Sequence, residues 1–516
     1  MNSHKHFVPS ATQSERFGGV FQAVHALLFF FWRTLRCRYS LGAFIRGIES
    51  PTMSNERILL VLNHPIRERT HFEAIRRQIL ELAPSVKVEI LEYRDVMFLQ
   101  KAIDFRPQVI MTFPFTAVTI ADRFYPIKFL TNCRIITYRA EGGLLDYSGV
   151  IVDNTFFVGY DCYGPTLVDR ELFWGRKMAA YAVPLLLKQE KLSSPDRIGV
   201  VGYPEYESYF GSPEEEFPDL PLEIAKRIDC YSKERTILLV TGFHGSLYTK
   251  EDIINAQDWY DPLAPDADEK LRWALTEVEN IGRFKQYWIE KTIESAKLNP
   301  EVLHILKCHP LESLIQGKLK HDPYTALNGY SNILYVQNVP VRQLLQRCGL
   351  FLHYGSTTLA ESILLKIPSA FVYSEAIYPR RKDSDFAKLS TMLVDIAKLP
   401  TVVAEHLRTP SRFELTSQME EALFDVFNIN SAHLAGNSVY RPSREIALVL
   451  VNSLKEAPQL VEPEDPYLLK SMRQKADFFG LSRQDDKILS VLHMIARHRS
   501  SLPEKIGIPS STSTAV

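Results

Sequence analysis

Runs of consecutive apolar residues alternate with segments of helical spacing along most of this chain. Arg57–His64 (RILLVLNH), Lys87–Tyr93, Gln108–Phe113 and Arg134–Tyr138 each read as a strand, and His71–Leu82 carries the three-and-four spacing of a helix. Strands that alternate with helices predict a parallel sheet covered on both faces. This first set closes near Ile198–Pro204. Gly211–Pro221 (GSPEEEFPDLP) then concentrates proline and acid, the composition of an exposed linker.

A second alternating set starts at Arg235–Phe243 (RTILLVTGF). A long helix is predicted from about Asp268 to Leu298. Strands follow at Val302–Leu306, Asn332–Val336, Leu350–His353 and Ala370–Tyr373. Beyond Ser384 the pattern is helical, over Asp385–Ala397, Leu415–Phe427, Ser443–Leu454, Tyr467–Phe479 and Asp485–Ala496. The expected fold class is α/β, with two Rossmann-like doubly wound domains, a helical N-terminal extension and a helical C-terminal tail. The expected boundaries are 1–50 for the extension, 51–210 and 235–396 for the two domains, 211–234 for the linker and 397–516 for the tail. The last stretch, SLPEKIGIPSSTSTAV, has the composition of a disordered end.

Composition changes this picture little. The 516 residues are 46% hydrophobic and 23% charged, with a formal net charge of −1, so nothing global favours nucleic acid. Six scattered cysteines without a CxxC pair suit reduced thiols better than a disulfide framework or a zinc site. No segment reaches the roughly 18 to 20 apolar residues that cross a bilayer. Val24–Trp32, followed by Arg33, Arg36 and Arg38, reads either as a helix in a membrane interface or as one packed on the core.

Candidate chemistry gathers at predicted strand ends, where open α/β sheets bind ligands. Lys307–Pro310 (KCHP) follows one strand, and Tyr354–Ser362 (YGSTTLAES) follows another. In the second, Gly355 permits a tight turn, and Ser356, Thr357 and Thr358 bring hydroxyls and unpaired amides to a helix start, which favours a phosphate. The same residues also serve an ordinary N-cap. Glu361, one turn further, is within reach of a ribose diol. His309 can donate to a phosphate or protonate it as it leaves. Lys307 either assists or is a solvated strand lysine. Glu141, in RAEGG after the Arg134–Tyr138 strand, can take a proton from an attacking hydroxyl, or simply cap a helix. Gly245 in GFHGS, with His244, can let the backbone approach a phosphate; a plain turn fits as well. Arg380 and Arg381 suit a sugar carboxylate or a phosphate, or form a solvated basic loop; Asn63–Pro65 suits the acceptor side, and Tyr203–Glu205 a domain hinge.

The order acid–Gly, His–Pro, Ser–Thr, over about Arg57–Ile396, resembles bacterial GT-B glycosyltransferases that use CMP-activated sugars, the sialyl- and Kdo transferases, and proteins of surface carbohydrate biosynthesis. The resemblance implies an inverting, metal-independent transfer of an acidic sugar from a CMP-sugar to a cell-surface glycan of capsule or lipopolysaccharide. No cofactor beyond the donor substrate is implied. Glu141 would be the base, His309 and Pro310 would belong to the phosphate contact, and Ser356 and Thr357 would hold that phosphate. The place implied is the cytoplasm, at the inner face of the membrane through the N-terminal helix. Ala140 departs from the two acids usual before the glycine of sialyltransferases. A CDP-glycerol glycerophosphotransferase of the teichoic-acid type, a UDP-sugar 2-epimerase-like enzyme and a non-catalytic GT-B scaffold stand as alternatives.

Overall fold

A computed structural model describes residues 56–63, 65–115, 118–139, 163–210, 220–255, 267–309, 312, 323–377, 382, 384–435, 440–481 and 483–501. The N-terminal extension, Glu141 with its glycines, Pro310, Arg380, Arg381 and the extreme C-terminus lie outside these residues. By its contacts the chain divides into two compact units, residues 55–460 and residues 1–54 with 461–516.

The larger unit holds two parallel six-stranded sheets. The first contains β1 (Arg57–Leu62), β2 (Lys87–Glu92), β3 (Val109–Thr112), β4 (Arg134–Arg139), β5 (Arg170–Phe173) and β6 (Ile198–Val200), in the order β2-β1-β3-β4-β5-β6. Helices α1 (Pro65–Leu82), α2 (Phe98–Phe105), α3 (Val118–Thr131) and α4 (Arg176–Lys188) connect them. Ile58 to Leu62 of β1 have no exposure at all. A strand covered on both faces must be apolar at every position, which is why these strands read as continuous runs instead of alternating ones.

After α5 (Leu222–Asp229) the second sheet begins. Its strands are β7 (Thr236–Val240), β8 (Leu303–Lys307), β9 (Ile333–Val336), β10 (Leu350–His353), β11 (Ser369–Tyr373) and β12 (Met392–Asp395), in the order β12-β11-β10-β7-β8-β9. Its helices are α6 (Lys250–Asn255), the 32-residue α7 (Ala267–Leu298), α8 (Val341–Arg347), α9 (Thr358–Leu364), α10 (Asp385–Leu389) and α11 (Leu399–Arg408). Phe284, Trp288 and Ile289 of α7 sit in one apolar core with Ile237, Leu239 and Leu352 of the strands. This is the expected two-Rossmann architecture, with a helical C-terminal region.

Two strands depart from the sequence pattern. β5 has no place in the predicted set, because RELF begins with two charged residues. Glu171 is nonetheless fully buried, since Arg139 Nε donates to it at 2.8 Å and Tyr163 Oη at 3.2 Å. β12 falls where one helix was expected over Asp385–Ala397. Ser384 caps α10 by accepting from Ala387 N, the helix stops at Leu389, and Met392–Asp395 pairs in parallel with β11 at the sheet edge, leaving Leu393 48% exposed.

The C-terminal region of this unit, α12 (Ser417–Phe427), α13 (Ser431–Leu434) and α14 (Pro442–Ser453), returns to the first sheet. Gly175, before α4, sits so close to α12 that a Cβ there would lie 1.9 Å from Val426 O. α14 packs on α1, and Ser443 gives its N–H and hydroxyl to Glu207. The smaller unit contains α15 (Pro466–Gln474), α16 (Ala476–Phe479) and α17 (Asp485–Ser501). Asp465 caps α15 by accepting from Tyr467 N and Leu468 N, and Arg473 bonds Asp485 at the start of α17. Among the described residues no helix is long and apolar enough to cross a membrane.

Candidate functional site

The order of the second sheet fixes where a ligand fits. Its first strand, β7, lies beside its fourth, β10, and the chain winds outward in opposite directions from that pair. Connections diverge there and leave a crevice beyond the strands' carboxyl ends. The turn after β7 is Gly242–Leu247, the turn after β10 is Tyr354–Thr358, and Lys307–His309 ends β8, the other neighbour of β7. The three stretches that sequence reasoning singled out in this half therefore share one edge.

The Tyr354–Thr358 turn is held from below by a histidine that sequence reasoning treated only as strand. His353 is fully buried, and burial pushes its imidazole pKa down to about 3, so it is neutral near pH 7. Ser390 Oγ donates to Phe386 O at 2.6 Å, so it accepts from His353 Nε2 at 3.0 Å. That leaves Nδ1 as the acceptor of Gly355 N–H at 3.3 Å, with Ser356 N at 3.5 Å. Of the three amides expected to be unpaired, that of Ser356 is thus turned to the imidazole. Gly355 has φ +91, a conformation that costs a residue with a Cβ. Ser356 Oγ accepts Thr358 N–H at 3.3 Å and so starts α9, while Thr357 is exposed to solvent.

One turn into α9, Glu361 meets a segment from the other half. The chain leaving β6 forms a 3₁₀ turn, Pro204–Tyr209, read from sequence as the beginning of a hinge. A 3₁₀ turn puts every third residue on one face. Tyr203 packs edge-on to Trp174 and Tyr206; Tyr206 Oη donates to Thr357 O at 3.4 Å; Tyr209 Oη donates to Glu361 Oε1. Arg342 of α8 lies 4.4 Å from the Tyr209 ring centroid and donates to Ser208 O at 3.3 Å. Burial, with the charge of Glu205 adding to it, raises the Glu361 carboxyl to about 7, against the opposing pull of Tyr209, Lys307 and Arg342.

Lys307 is not the solvated strand lysine that sequence allowed. It is partly buried at the end of β8, burial pulls its pKa down, and Glu361 partly restores it. Among the described residues no carboxylate lies within ion-pair distance of its ammonium. His309 is partly buried beside it, and its N–H donates to Thr241 Oγ1 at 3.3 Å. Gly245 lies against Ile281 of α7, and the side chain of His244 is outside the described residues.

Sequence reasoning missed Glu312, which is completely buried. Its Oε1 accepts from Thr241 Oγ1 at 2.6 Å and Phe243 N at 2.9 Å, and its Oε2 from Tyr324 Oη at 2.7 Å, with Lys285 Nζ at 3.3 Å. Burial alone would raise its pKa; these partners win and lower it. An acid three residues after a strand-end histidine was the available signal. Tyr209, Glu205 and Arg342 gave none, since their roles exist only across the two halves. Among the described residues no group of three or more His, Cys, Asp or Glu is placed to hold a metal ion.

These features define a two-Rossmann α/β protein with polar groups converging on the switch point of its second sheet. No protein-family model and no curated protein matches the chain. Solved structures do. S. aureus MnaA with UDP is 11% identical, with 79% of this chain and 100% of that one covered at a TM-score of 0.42. UDP-GlcNAc 2-epimerase of Methanocaldococcus jannaschii, in complex with UDP-GlcNAc and UDP, is 11% identical over 77% of this chain and 99% of that one, TM-score 0.44. Anabaena Alr3699/HepE with UDP and glucose is 10% identical over 77% and 100%, TM-score 0.41. Superposition this loose says nothing of the reaction, which must be read from the side chains.

Proposed function

We propose that residues 55–460 form an enzyme acting on a nucleotide sugar, with the phosphates held over Lys307 at the switch point of the second sheet. The observation that carries this reading is Lys307 itself. A partly buried ammonium with no carboxylate within ion-pair distance among the described residues is an unbalanced charge, and a phosphate is the anion its setting fits. The same carboxyl edge of the sheet carries Ser356, Thr357 and Thr358, His309 and the turn at Gly245. Glu361 offers a carboxylate to a ribose diol, and Tyr209 now occupies one of its oxygens.

The charge around the site favours a UDP-sugar over a CMP-sugar. Lys307 and Arg342 both act on Glu361, and two cations suit a diphosphate better than a single phosphodiester. A 2-epimerase-like reaction is the reading we place first. In that reading a carboxylate takes the C2 proton as the anomeric C–O bond breaks, a C1–C2 double bond forms and the bond's electrons pass to the β-phosphate, whose charge is stabilised by donors at the switch point. Return of a proton to the other face of C2 and of the phosphate oxygen to C1 completes the inversion. Glu205, exposed and near enough to Glu361 to raise its pKa, adds an acid that sequence reasoning had left to the hinge.

A second reading rests on the order of motifs in the sequence. Inverting transfer from a CMP-sugar to a surface glycan would use Glu141 as base and His309 at the leaving phosphate, with Pro310 shaping that turn. An N-terminal helix at the membrane belongs to this reading.

Ligand-induced melting shifts with UDP, UDP-GlcNAc, CMP and CDP-glycerol, followed by NMR of the sugar products, separate these readings. We expect the uridine ligands to raise Tm and the C2 epimer to accumulate from UDP-GlcNAc. Stabilisation by CMP alone, with Glu141→Gln abolishing transfer, would move the assignment to the second reading. A shift with CDP-glycerol alone would make the enzyme a glycerophosphotransferase, and no shift with any nucleotide would leave a scaffold.

A further inference from the structure

We infer that Glu312 is a positioning residue for the nucleotide site, holding the turns after β7 and β8 in one fixed relation. The inference rests on the nucleotide-sugar reading above. Glu312 itself faces away from solvent, with 0% exposure, and so touches no ligand. What it touches is the backbone of both turns.

Thr241, the first residue beyond β7, gives its hydroxyl proton to Glu312 and accepts the N–H of His309 on the same oxygen, while its own N–H goes to Lys307 O at 3.1 Å. Glu312 N–H donates to His309 O at 2.9 Å. The two peptide groups of His309 are therefore fixed at both ends by the Glu312–Thr241 pair. On the other turn, Phe243 N–H donates to the same carboxylate and sets the start of the stretch that carries Gly245. Tyr324 supplies the remaining donor, and the Lys285 ammonium of α7 lies 3.3 Å from the carboxylate as an ion pair and 4.5 Å from the Tyr324 ring centroid.

A carboxylate suits this place because its two oxygens receive three hydrogen bonds, from Thr241, Phe243 and Tyr324, and face the Lys285 ammonium; a neutral amide would leave that ammonium unanswered. A buried ion pair that only packs can be replaced by apolar residues with little loss. This one gives one of its oxygens to the turn after β7, through Thr241 and Phe243, and Thr241 in turn holds the turn after β8; a small misplacement there costs affinity.

The test is isothermal titration of UDP and CMP into the full chain and its Glu312→Gln, Thr241→Val and Thr241→Ser variants, with Tm measured in parallel. Glu312→Gln should weaken binding of whichever nucleotide the wild type takes by about tenfold or more. Thr241→Val removes both bonds of that hydroxyl, leaves Phe243 N–H and Tyr324 Oη on the carboxylate, and should weaken binding by about tenfold; Thr241→Ser should restore it. A purely structural role would lower Tm and leave the affinity of the folded fraction unchanged, and that outcome overturns the inference. If Glu312→Gln does not fold, the Val/Ser pair at position 241 decides. A wild type that binds neither nucleotide overturns the functional reading and the inference with it, whereas a wild type that binds with variants equal to it overturns the inference alone.

Discussion

The two sheets have equal numbers of strands, yet one strand end in each, that of β4 and that of β8, treats charge in opposite ways. At the end of β4 in the first sheet, Arg139 and Glu171 are both buried and bonded to each other at 2.8 Å, with Tyr163 on the remaining oxygen. Every charge of that pair is answered. At the end of β8 in the second sheet, Lys307 is left without a carboxylate among the described residues, and Glu361 is pushed up to about 7 beside Glu205. The first arrangement holds a fold together. The second leaves electrostatic work undone, which is what a binding site requires.

The largest effect should come from breaking the answered pair. Arg139→Met leaves the Glu171 carboxylate buried without its cation and should cost about 3–5 kcal/mol of stability. Thermal and denaturant unfolding read this, and Arg139→Met with Glu171→Met should recover most of it. Nucleotide affinity of the folded fraction should not change. Lys307→Met should do the reverse. It removes a desolvated charge, so Tm should hold or rise, while UDP affinity falls by a factor corresponding to about 2 kcal/mol. Should Lys307→Met unfold the protein and Arg139→Met abolish binding, the contrast between the two edges is wrong.

Much of this contrast was legible in the amino-acid sequence. Continuous apolar runs ending at KCHP, GFHGS and GSTT mark buried strands that stop at the sheet's edge, because both faces of a parallel strand are covered and the chain must turn where the cover ends. Other parts had no local signal. Glu312 takes its donors from residues 71 and 69 positions upstream, and Tyr209 reaches Glu361 across 152 positions. β5 was hidden because a charged residue in a core looks polar until its partner is known. β12 was hidden because Asp385–Ala397 keeps a helical spacing across a helix that in fact stops at Leu389.

pH should separate the edges more finely. Glu361 normally titrates near 4.5 and is raised to about 7 in the fold. The native state therefore holds a proton that the unfolded chain releases between those values. The stability this contributes is complete below about pH 4.5 and is lost as pH rises through about 7. Its size is on the order of 2 kcal/mol, discounted for partial exposure. Buried His304 and His353, lowered from 6.5 to about 4 and about 3, act in the opposite sense and cost stability as pH falls below about 6.5. Subtracting the Tm-versus-pH curve of Glu361→Gln from that of wild type removes them. The difference should decline from pH 5 to 8, and a flat difference would mean that Glu361 titrates normally.

The smallest effect tests the strap that joins the halves. Tyr209 donates to Glu361 and so favours its ionised form, while burial and Glu205 favour the protonated one. Tyr209→Phe keeps the ring under Arg342 and deletes only the hydroxyl. Losing that bond should cost about 1 kcal/mol at pH 8, where the carboxylate is charged, and less at pH 5, where it is not. The midpoint of the difference curve, taken against Tyr209→Phe with Glu361→Gln, should then move above 7, because one of the groups stabilising the anion has gone. A midpoint that stays in place would show that the Tyr209 hydroxyl does not act on Glu361, and that this contact between the halves runs through packing of the tyrosine rings.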